Sequence, residues 1–292
     1  MATDTAPAPA ATKRQATPAK GDYRRDPRGV RWALRLLTVG YVVLLVAWPT
    51  SLVFKAALAP GIGPMFESLT EPEIAHALVL TAIITVISVL INLVFGLTIS
   101  ILLVRYDFWG KRVISALLDV PLSVSPVVVG LALVLVYNGR DGWFGPTLEN
   151  AGFQVIFATP GMVMATVFVA LPLMIREVVP VLEEIGEDQE QAARSLGAGA
   201  FATLRRITLP GIKWAVVYGV VLSLARSLGE FGAVKIVSGN IAGLSQTATL
   251  AVEDTYQNFQ QDTSYALAAV LAFAAMACLV VVSLLRPKDD ER

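Results

Sequence analysis

The chain has 292 residues, of which 55% are hydrophobic and only 16% are charged, whereas soluble domains carry about 25% charged residues. The 23 basic and 23 acidic side chains cancel, so the net charge indicates neither a nucleic acid nor any other charged partner. The single cysteine, Cys278, and the single histidine, His76, exclude an intrachain disulfide and argue against a protein zinc site, which needs about four ligands.

The first 31 residues predict a disordered basic cytoplasmic tail. They are rich in Ala, Pro and Thr, and they lack the apolar periodicity that could bury a core. The apolar run that follows is too long for a cleaved signal peptide, and no clear small-residue cleavage site ends it. Residues 32–73 are therefore predicted to hold a retained first transmembrane helix and an outer loop.

Six segments are long and apolar enough to cross a membrane, since a helical span needs roughly 20 mainly apolar residues. Their approximate bounds are 34–54, 75–104, 113–137, 160–181, 214–237 and 265–285. Helices are expected because backbone groups in hydrocarbon must bond within their own segment and the runs lack an alternating strand pattern. The predicted fold class is an all-α polytopic membrane protein with six transmembrane helices. Pro172, with Arg176 and Glu177, predicts the inner end of the fourth span.

The distribution of Lys and Arg predicts the orientation of these spans. If the N-terminus lies inside, 19 of the 23 basic residues fall on the inner side, and only Lys55, Arg140 and Lys235 fall on the outer side. The positive-inside rule then places both termini in the cytoplasm. Residues 286–292 become a short cytoplasmic tail.

The inner loop between the fourth and fifth spans, about residues 186–210, predicts two short helices separated by a glycine. Residues 188–196 favour a helix with acidic residues in its first turn and Arg194 in its last, as suits the helix dipole. Gly197 is a natural stop, because glycine reaches the left-handed conformation at low cost. A second short helix is expected from Phe201 to Ile207, ending near Pro210.

The spacing of this loop resembles the EAA loop of ABC importer permeases, which forms a coupling helix that docks in a cleft of the ATP-binding subunit. The resemblance implies an ATPase-coupling set comprising Glu190, Gln191, Ala192, Ala193, Leu196, Gly197, Ile207, Leu209 and Pro210. One position departs from the motif, because Gln191 stands where the motif has glutamate, with Glu190 adjacent.

Further segments narrow the resemblance. Residues 121–130 resemble the CysW-type sulfate permeases, and residues 225–233 and 238–241 resemble the wider group of sulfate, thiosulfate and molybdate permeases. The resemblance covers roughly residues 70–285 and implies a MetI-like permease domain over 74–285. It implies import of sulfate, and also of thiosulfate, across the bacterial cytoplasmic (inner) membrane for sulfur assimilation. A molybdate or tungstate importer of the same architecture remains the alternative.

The resemblance also implies the partners. These are two copies of an ATP-binding cassette subunit, a second homologous sulfate permease subunit, an extracytoplasmic sulfate-binding protein and the lipid bilayer. ATP and Mg²⁺ would act in the partner ATPase, and this chain would bind no cofactor itself. The expected mechanism is alternating access, in which the coupling helix follows ATPase closure and rocks the fourth and fifth spans relative to the second and third.

Polar residues inside the spans suggest a translocation path. Arg226 and Glu230 are four residues apart and can pair on one helix face; they either lend positive potential to an oxyanion path or form a structural ion pair. The prolines at 121 and 126 should kink the third span, so that nearby serines line a polar passage or simply pack. Glycines at 229 and 232 permit close helix approach or a helix break. The candidate path residues are Ser123, Ser125, Pro126, Arg226, Ser227, Gly229 and Glu230. Asn92 is interpreted as an interhelical hydrogen-bonding group.

Rival functions lack supporting motifs. Gly110-Lys111 is followed by Arg112 and has no upstream glycine, so it is not a phosphate-binding loop. The sequence has no recognisable nucleophile–base constellation and no appended signalling domain. The chain is therefore predicted to be a transporter subunit without its own enzymatic site, powered by a partner.

Overall fold

The computed structural model describes residues 28–285, and every regular element within this range is helical. The α-helices are α1 (Arg28–Val42), α2 (Trp48–Leu58), α3 (Ile62–Thr70), α4 (Pro72–Arg105), α5 (Lys111–Ser123), α6 (Pro126–Tyr137), α7 (Gly145–Asn150), α8 (Thr159–Ile185), α9 (Asp188–Ser195), α10 (Ala200–Thr203), α11 (Leu209–Leu228), α12 (Gly232–Ser238), α13 (Ala248–Gln257) and α14 (Gln261–Leu285). Two π-helical turns, Val43–Ala47 and Leu204–Thr208, join α1 to α2 and α10 to α11.

The described residues contain five helices that could cross a membrane by length and composition, and a sixth candidate is the bent pair α5–α6. The five are Gly29–Leu58, Pro72–Arg105, Thr159–Ile185, Ala200–Leu228 and Gln261–Leu284. The predicted all-α polytopic fold is therefore confirmed. The orientation of the termini stays a prediction.

The chain divides into two compact units at residues 50 and 51. The described part of the first unit is one run of helix that begins at Arg28, so the predicted tail is four residues too long at its end. The helix includes basic residues that precede the apolar run, because long basic side chains at the end of a span can extend toward water. The remaining tail residues, 1–27 and 286–292, lie outside the described range.

Both π-helical turns end two residues before a proline, Pro49 in one case and Pro210 in the other. A proline lacks the amide hydrogen, and its ring crowds the carbonyl four residues earlier. Local widening of the helix relieves this crowding without ending the helix. The prediction that a short helix ends near Pro210 is therefore wrong, since helix runs from Ala200 to Leu228.

The core of the second unit is formed by α4, α8 and α11, which pack against one another. Met174 of α8 is fully buried between two glycines, Gly96 and Gly219. A Cβ atom at Gly96 would lie 2.7 Å from Met174 Cγ, so the glycines create the space that this side chain fills. Small residues of this kind let membrane helices approach closely. Helix α8 continues through the buried Pro172 to Ile185, so Pro172 does not end the span as predicted.

The third predicted span is two helices, α5 and α6, at an angle of 114°. Val124 and Ser125 between them have non-helical ψ angles of 138° and 135°. The helical region is disfavoured for Ser125 because it precedes proline. The predicted kink at Pro126 is thus present as a full break.

The fifth predicted span is also interrupted, because α11 ends at Leu228 and α12 begins at Gly232. The two glycines have the two predicted roles. Gly229 lies at the helix break, directly after the end of α11, and Gly232 allows the close approach of α12 to α6. A Cβ atom at Gly232 would lie 3.1 Å from Pro126 Cβ. The second halves of the two broken spans therefore pack on each other.

The predicted outer loop after the first span contains a helix that the sequence analysis missed. Leu69 of α3 packs against a cluster that contains buried Ile74 and Ala77 of α4 and Leu267 of α14. The helix was missed because Gly61, just before α3, and Pro64, within it, are residues typical of a loop.

Candidate functional site: the coupling loop and the broken helices

The loop between α8 and α11 contains the predicted first helix and glycine stop, and the second helix begins at Ala200 but continues into α11. Helix α9 ends at Ser195, and Gly197 has φ of +87°. The amides of Gly197 and Ala198 donate to the carbonyls of Arg194 and Ala193, at 2.9 and 3.0 Å. This left-handed glycine closes the end of α9, as the sequence predicted.

Most of the motif residues in this loop face away from the body of the chain. Gln191, Ala192, Gly197 and Pro210 are exposed, and Leu196 is 90% exposed. Phe201, outside the predicted set, is 73% exposed. Large apolar side chains exposed in one loop are typical of a surface that a partner covers.

Three motif residues are half-buried and face inward, namely Ala193, Ile207 and Leu209. Leu209 packs against the cluster formed by Met174, Val178 and Leu182. These residues attach the loop to the helical core, so the motif divides into an exposed set and an anchoring set.

Glu190 is buried, which the sequence analysis did not foresee. Its side chain is 8% exposed and pairs with Arg105, whose side chain is 6% exposed. Arg105 Nε lies 3.2 Å from each carboxylate oxygen of Glu190. Arg105 was missed because it is the last residue of α4, 85 positions away, and it was interpreted only as a positive-inside residue.

The loop that follows Arg105 carries a second, exposed ion pair. Lys111 Nζ lies 2.9 Å from Asp107 Oδ1. The hydrogen bond from Lys111 and its positive charge hold the pKa of Asp107 below its ordinary value.

The Arg226–Glu230 pair forms, but across the break and not along one continuous helix. Arg226 Nη1 lies 2.7 Å from Glu230 Oε2, and the side chains are 35% and 2% exposed. Glu230 Oε1 accepts a hydrogen bond from the amide of Ala233 at 3.1 Å. The carboxylate therefore neutralises the arginine and caps the N-terminus of α12, so that end of α12 already holds an anion.

The start of α6 leaves its serines at the surface of the chain. Ser125 is exposed at the N-cap position, and its side chain makes no capping hydrogen bond with the described residues. Ser123 Oγ donates to the carbonyl of Asp119 at 3.4 Å. Ser123 and Ser125 are thus both exposed, next to the half-buried Pro126.

A further ion pair lies beside these serines. Arg176 Nη2 is 2.9 Å from Asp119 Oδ1, and the two side chains are 59% and 60% exposed. The sequence analysis placed Arg176 at a span end and did not single out Asp119. The signal was present, because an ionisable residue inside an apolar segment is a functional candidate.

A buried polar contact joins α4 and α11. Asn92 Nδ2 donates to Ser223 Oγ at 3.2 Å, so the predicted interhelical role of Asn92 is confirmed. Ser227, one turn further along α11, is buried, and its Oγ has no hydrogen-bond partner among the described residues. Ser227 faces the helix packing, whereas Gly229 is exposed.

Comparisons with known proteins cover nearly the whole chain. The family model for the inner membrane component of binding-protein-dependent transport systems matches residues 92–286. A sulfate transport system permease protein CysW from Synechococcus elongatus is 43% identical over 276 residues, covering 92% of this chain and 96% of the relative. The Escherichia coli K12 CysW is 40% identical over 267 residues, covering 90% and 91% respectively.

A solved structure has a similar fold. A bacterial ABC transporter involved in the import of the acidic polysaccharide alginate superimposes with a TM-score of 0.70, covering 88% of this chain and 93% of the other. The two sequences are 16% identical, so this likeness establishes the fold alone.

Proposed function

Because the chain belongs to the inner membrane components of binding-protein-dependent transport systems, in the CysW sulfate permease family, we propose that it carries sulfate into the cytoplasm as a permease subunit of an ABC importer. The transport of thiosulfate by the same route is part of this proposal. The membrane is the bacterial cytoplasmic membrane, with both termini of the chain on its inner side.

The observation that carries the proposal is the exposed face of the coupling loop. Leu196 and Phe201 are 90% and 73% exposed, and the exposed Ala192 of α9 has a small side chain that leaves room for a close surface. Exposed apolar side chains in a loop whose first helix, α9, is held by a buried ion pair suit a docking element. The partner is an ATPase subunit in two copies, which binds ATP and Mg²⁺ and supplies the energy that this chain cannot generate.

A second permease subunit would complete the passage. The Asp119–Arg176 pair is more than half exposed, and charges at membrane depth are costly unless they face water or protein. Ser123 and Ser125 lie on the same exposed segment. We assign this face to a water-lined passage between two homologous permeases, where hydroxyl groups handle an anion without a fixed strong site that would slow its release.

For Arg226 we favour the structural role. Its charge is matched by the buried carboxylate of Glu230, which also caps α12. The pair holds the break between α11 and α12 in place and leaves Gly229 at its surface. Alternating access then requires the membrane helices to move in response to the coupling loop.

The test is uptake of radiolabelled sulfate by a host strain from which the homologous permease gene has been deleted. Expression of this chain with its partner subunits and an extracytoplasmic sulfate-binding protein should restore sulfate uptake, and the chain alone should not. Molybdate uptake is measured in parallel. Restored molybdate uptake without sulfate uptake would move the chain to the alternative substrate class and leave the coupling interpretation standing.

A further inference from the structure

Arg105, the last residue of α4, joins three elements through one guanidinium group. Its Nε donates to both oxygens of Glu190 in α9 at 3.2 Å. Its Nη1 donates to the carbonyl of Leu182 at 3.1 Å, and its Nη2 to the carbonyl of Gly186 at 2.8 Å. The planar fork of arginine can satisfy these acceptors together, which a lysine ammonium cannot.

Glu190 extends the same network toward α11. Its Oε1 accepts a hydrogen bond from Thr208 Oγ1 at 2.9 Å, and Thr208 ends the π-helical turn that leads into α11. The Arg105 and Glu190 side chains are 6% and 8% exposed, and together with Thr208 they form part of the wall of a cleft of about 430 Å³. Their burial means that water screens the attraction between the two charges less than it would at the surface.

Apolar packing does little to hold α9 in place. Of the eight residues of α9, all within the described range, only Glu190 is buried. Glycines with positive φ lie on both sides of the helix, Gly186 at +69° and Gly197 at +87°. Glycine backbones are less restricted than those of other residues. The chain connections at Gly186 and Gly197 would therefore not by themselves fix the orientation of α9.

We propose that Arg105, Glu190 and Thr208 form a clamp that transmits movement of the coupling helix to α4, α8 and α11 together. Arg105 is then a positioning residue that lies outside the coupling motif. This inference rests on the proposed function, since it says how ATPase motion reaches the membrane helices. A push on α9 reaches all three helices only while the ion pair is intact.

The first test replaces Glu190 with glutamine in the complete importer reconstituted in proteoliposomes. Glu190→Gln keeps the size of the side chain and the acceptor for Thr208 but removes the charge. Sulfate taken up per ATP hydrolysed should fall by at least about fivefold, the lower end of usual coupling between sites. The control Glu184→Gln makes the same chemical change at an exposed position near the end of α8 and should leave the ratio unchanged.

The second test replaces Arg105 with lysine, with the exposed Arg112→Lys as its control. Arg105→Lys should lower the ratio, and the double variant with Glu190→Gln should be no worse than the poorer single variant. Two independent losses that multiply would overturn the clamp, because they would show that the residues do not act through each other. A purely structural role would lower the amount of assembled importer but not uptake per ATP.

Hydrogen exchange on the same samples separates the clamp from the substrate assignment. Amides of α9 should exchange faster in Glu190→Gln than in Glu184→Gln, while those of α4 stay protected. Unchanged α9 protection overturns the clamp whichever anion is carried. Absence of sulfate uptake by the wild-type importer overturns the proposed function instead, and the exchange result still decides the clamp. If Glu190→Gln does not assemble, Arg105→Lys and its control decide by the same two readouts.

Discussion

The backbone at Gly197 shows what one residue contributes to the coupling loop. Its φ of +87° lies in the left-handed region, and a Cβ atom there would have no neighbour within 4 Å. Gly199, two residues on, also has open space around it but has φ of −69°. The two glycines therefore differ in backbone conformation and not in packing.

Gly197→Ala should accordingly weaken coupling, while Gly199→Ala should have little effect. A left-handed conformation costs a residue with a Cβ atom about 1–2 kcal/mol, which would unwind the end of α9 and move Leu196. Sulfate uptake at equal membrane levels of the protein is the measurement, and Gly197→Val should lose more than Gly197→Ala. Normal uptake in both Gly197 variants would show that the coupling loop is wrongly assigned.

The Arg226–Glu230 pair gives a prediction about a buried charge. Arg226→Gln leaves the Glu230 carboxylate, which is 2% exposed, without its counter-charge. Removal of one partner of a buried pair costs about 3–5 kcal/mol, so the amount of folded protein in the membrane should fall sharply. Arg226→Gln with Glu230→Gln should recover much of that amount, because glutamine can still accept the Ala233 hydrogen bond.

The same pair of variants decides between the two roles of Arg226. If the pair is structural, the double variant regains uptake in proportion to the amount of folded protein. A double variant that folds but does not take up sulfate would assign Arg226 to the anion path. Quantitative immunoblotting of membranes and sulfate uptake on the same cells give both values.

At the scale of elements, the two broken helices are held together by small residues. A Cβ atom on Gly130 of α6 would lie 2.8 Å from both the Ala233 carbonyl oxygen and Ile236 Cβ of α12. Gly130→Ala should therefore push the two half-helices apart, at a cost of about 1–3 kcal/mol. Gly63→Ala in α3, where the added atom meets nothing within 4 Å, is the control.

The thermal midpoint of the purified importer should fall for Gly130→Ala and stay level or rise for Gly63→Ala, since alanine stabilises an open helical position by about 0.5–1 kcal/mol. Equal midpoints for the two variants would mean that α6 and α12 do not pack as described.

The elements that the sequence predicts well are those with a local cause. The length of the apolar runs predicts the spans. Pro126 predicts the break between α5 and α6, and Gly197 predicts the end of α9. The prediction that a helix ends near Pro210 was wrong because a π-helical turn lets the helix continue. The Arg105–Glu190 pair could not be predicted, because no local pattern shows that two charges 85 positions apart meet.

For the whole molecule, the six predicted spans correspond to five long helices and one bent pair within the described residues. The family likeness confirms the permease fold, whereas the orientation of the termini still depends on the placement of Lys and Arg. Nineteen of the 23 basic residues share one predicted side. The spans can be inserted in two orientations, and the orientation that puts the basic loops outside is unfavourable. The predicted orientation is therefore the one that keeps these basic residues inside.

Cysteine labelling tests this orientation directly, since Cys278 is the only cysteine of the chain and can be replaced by serine. In that background, Trp143→Cys places a thiol in the predicted outer loop, where Trp143 is 82% exposed. Phe201→Cys places one in the coupling loop. A membrane-impermeant maleimide should label position 143 in intact cells and position 201 only after permeabilisation. The reverse pattern would put the coupling loop outside, where no cytoplasmic ATPase could reach it, and both the proposed function and the clamp would then lose their basis.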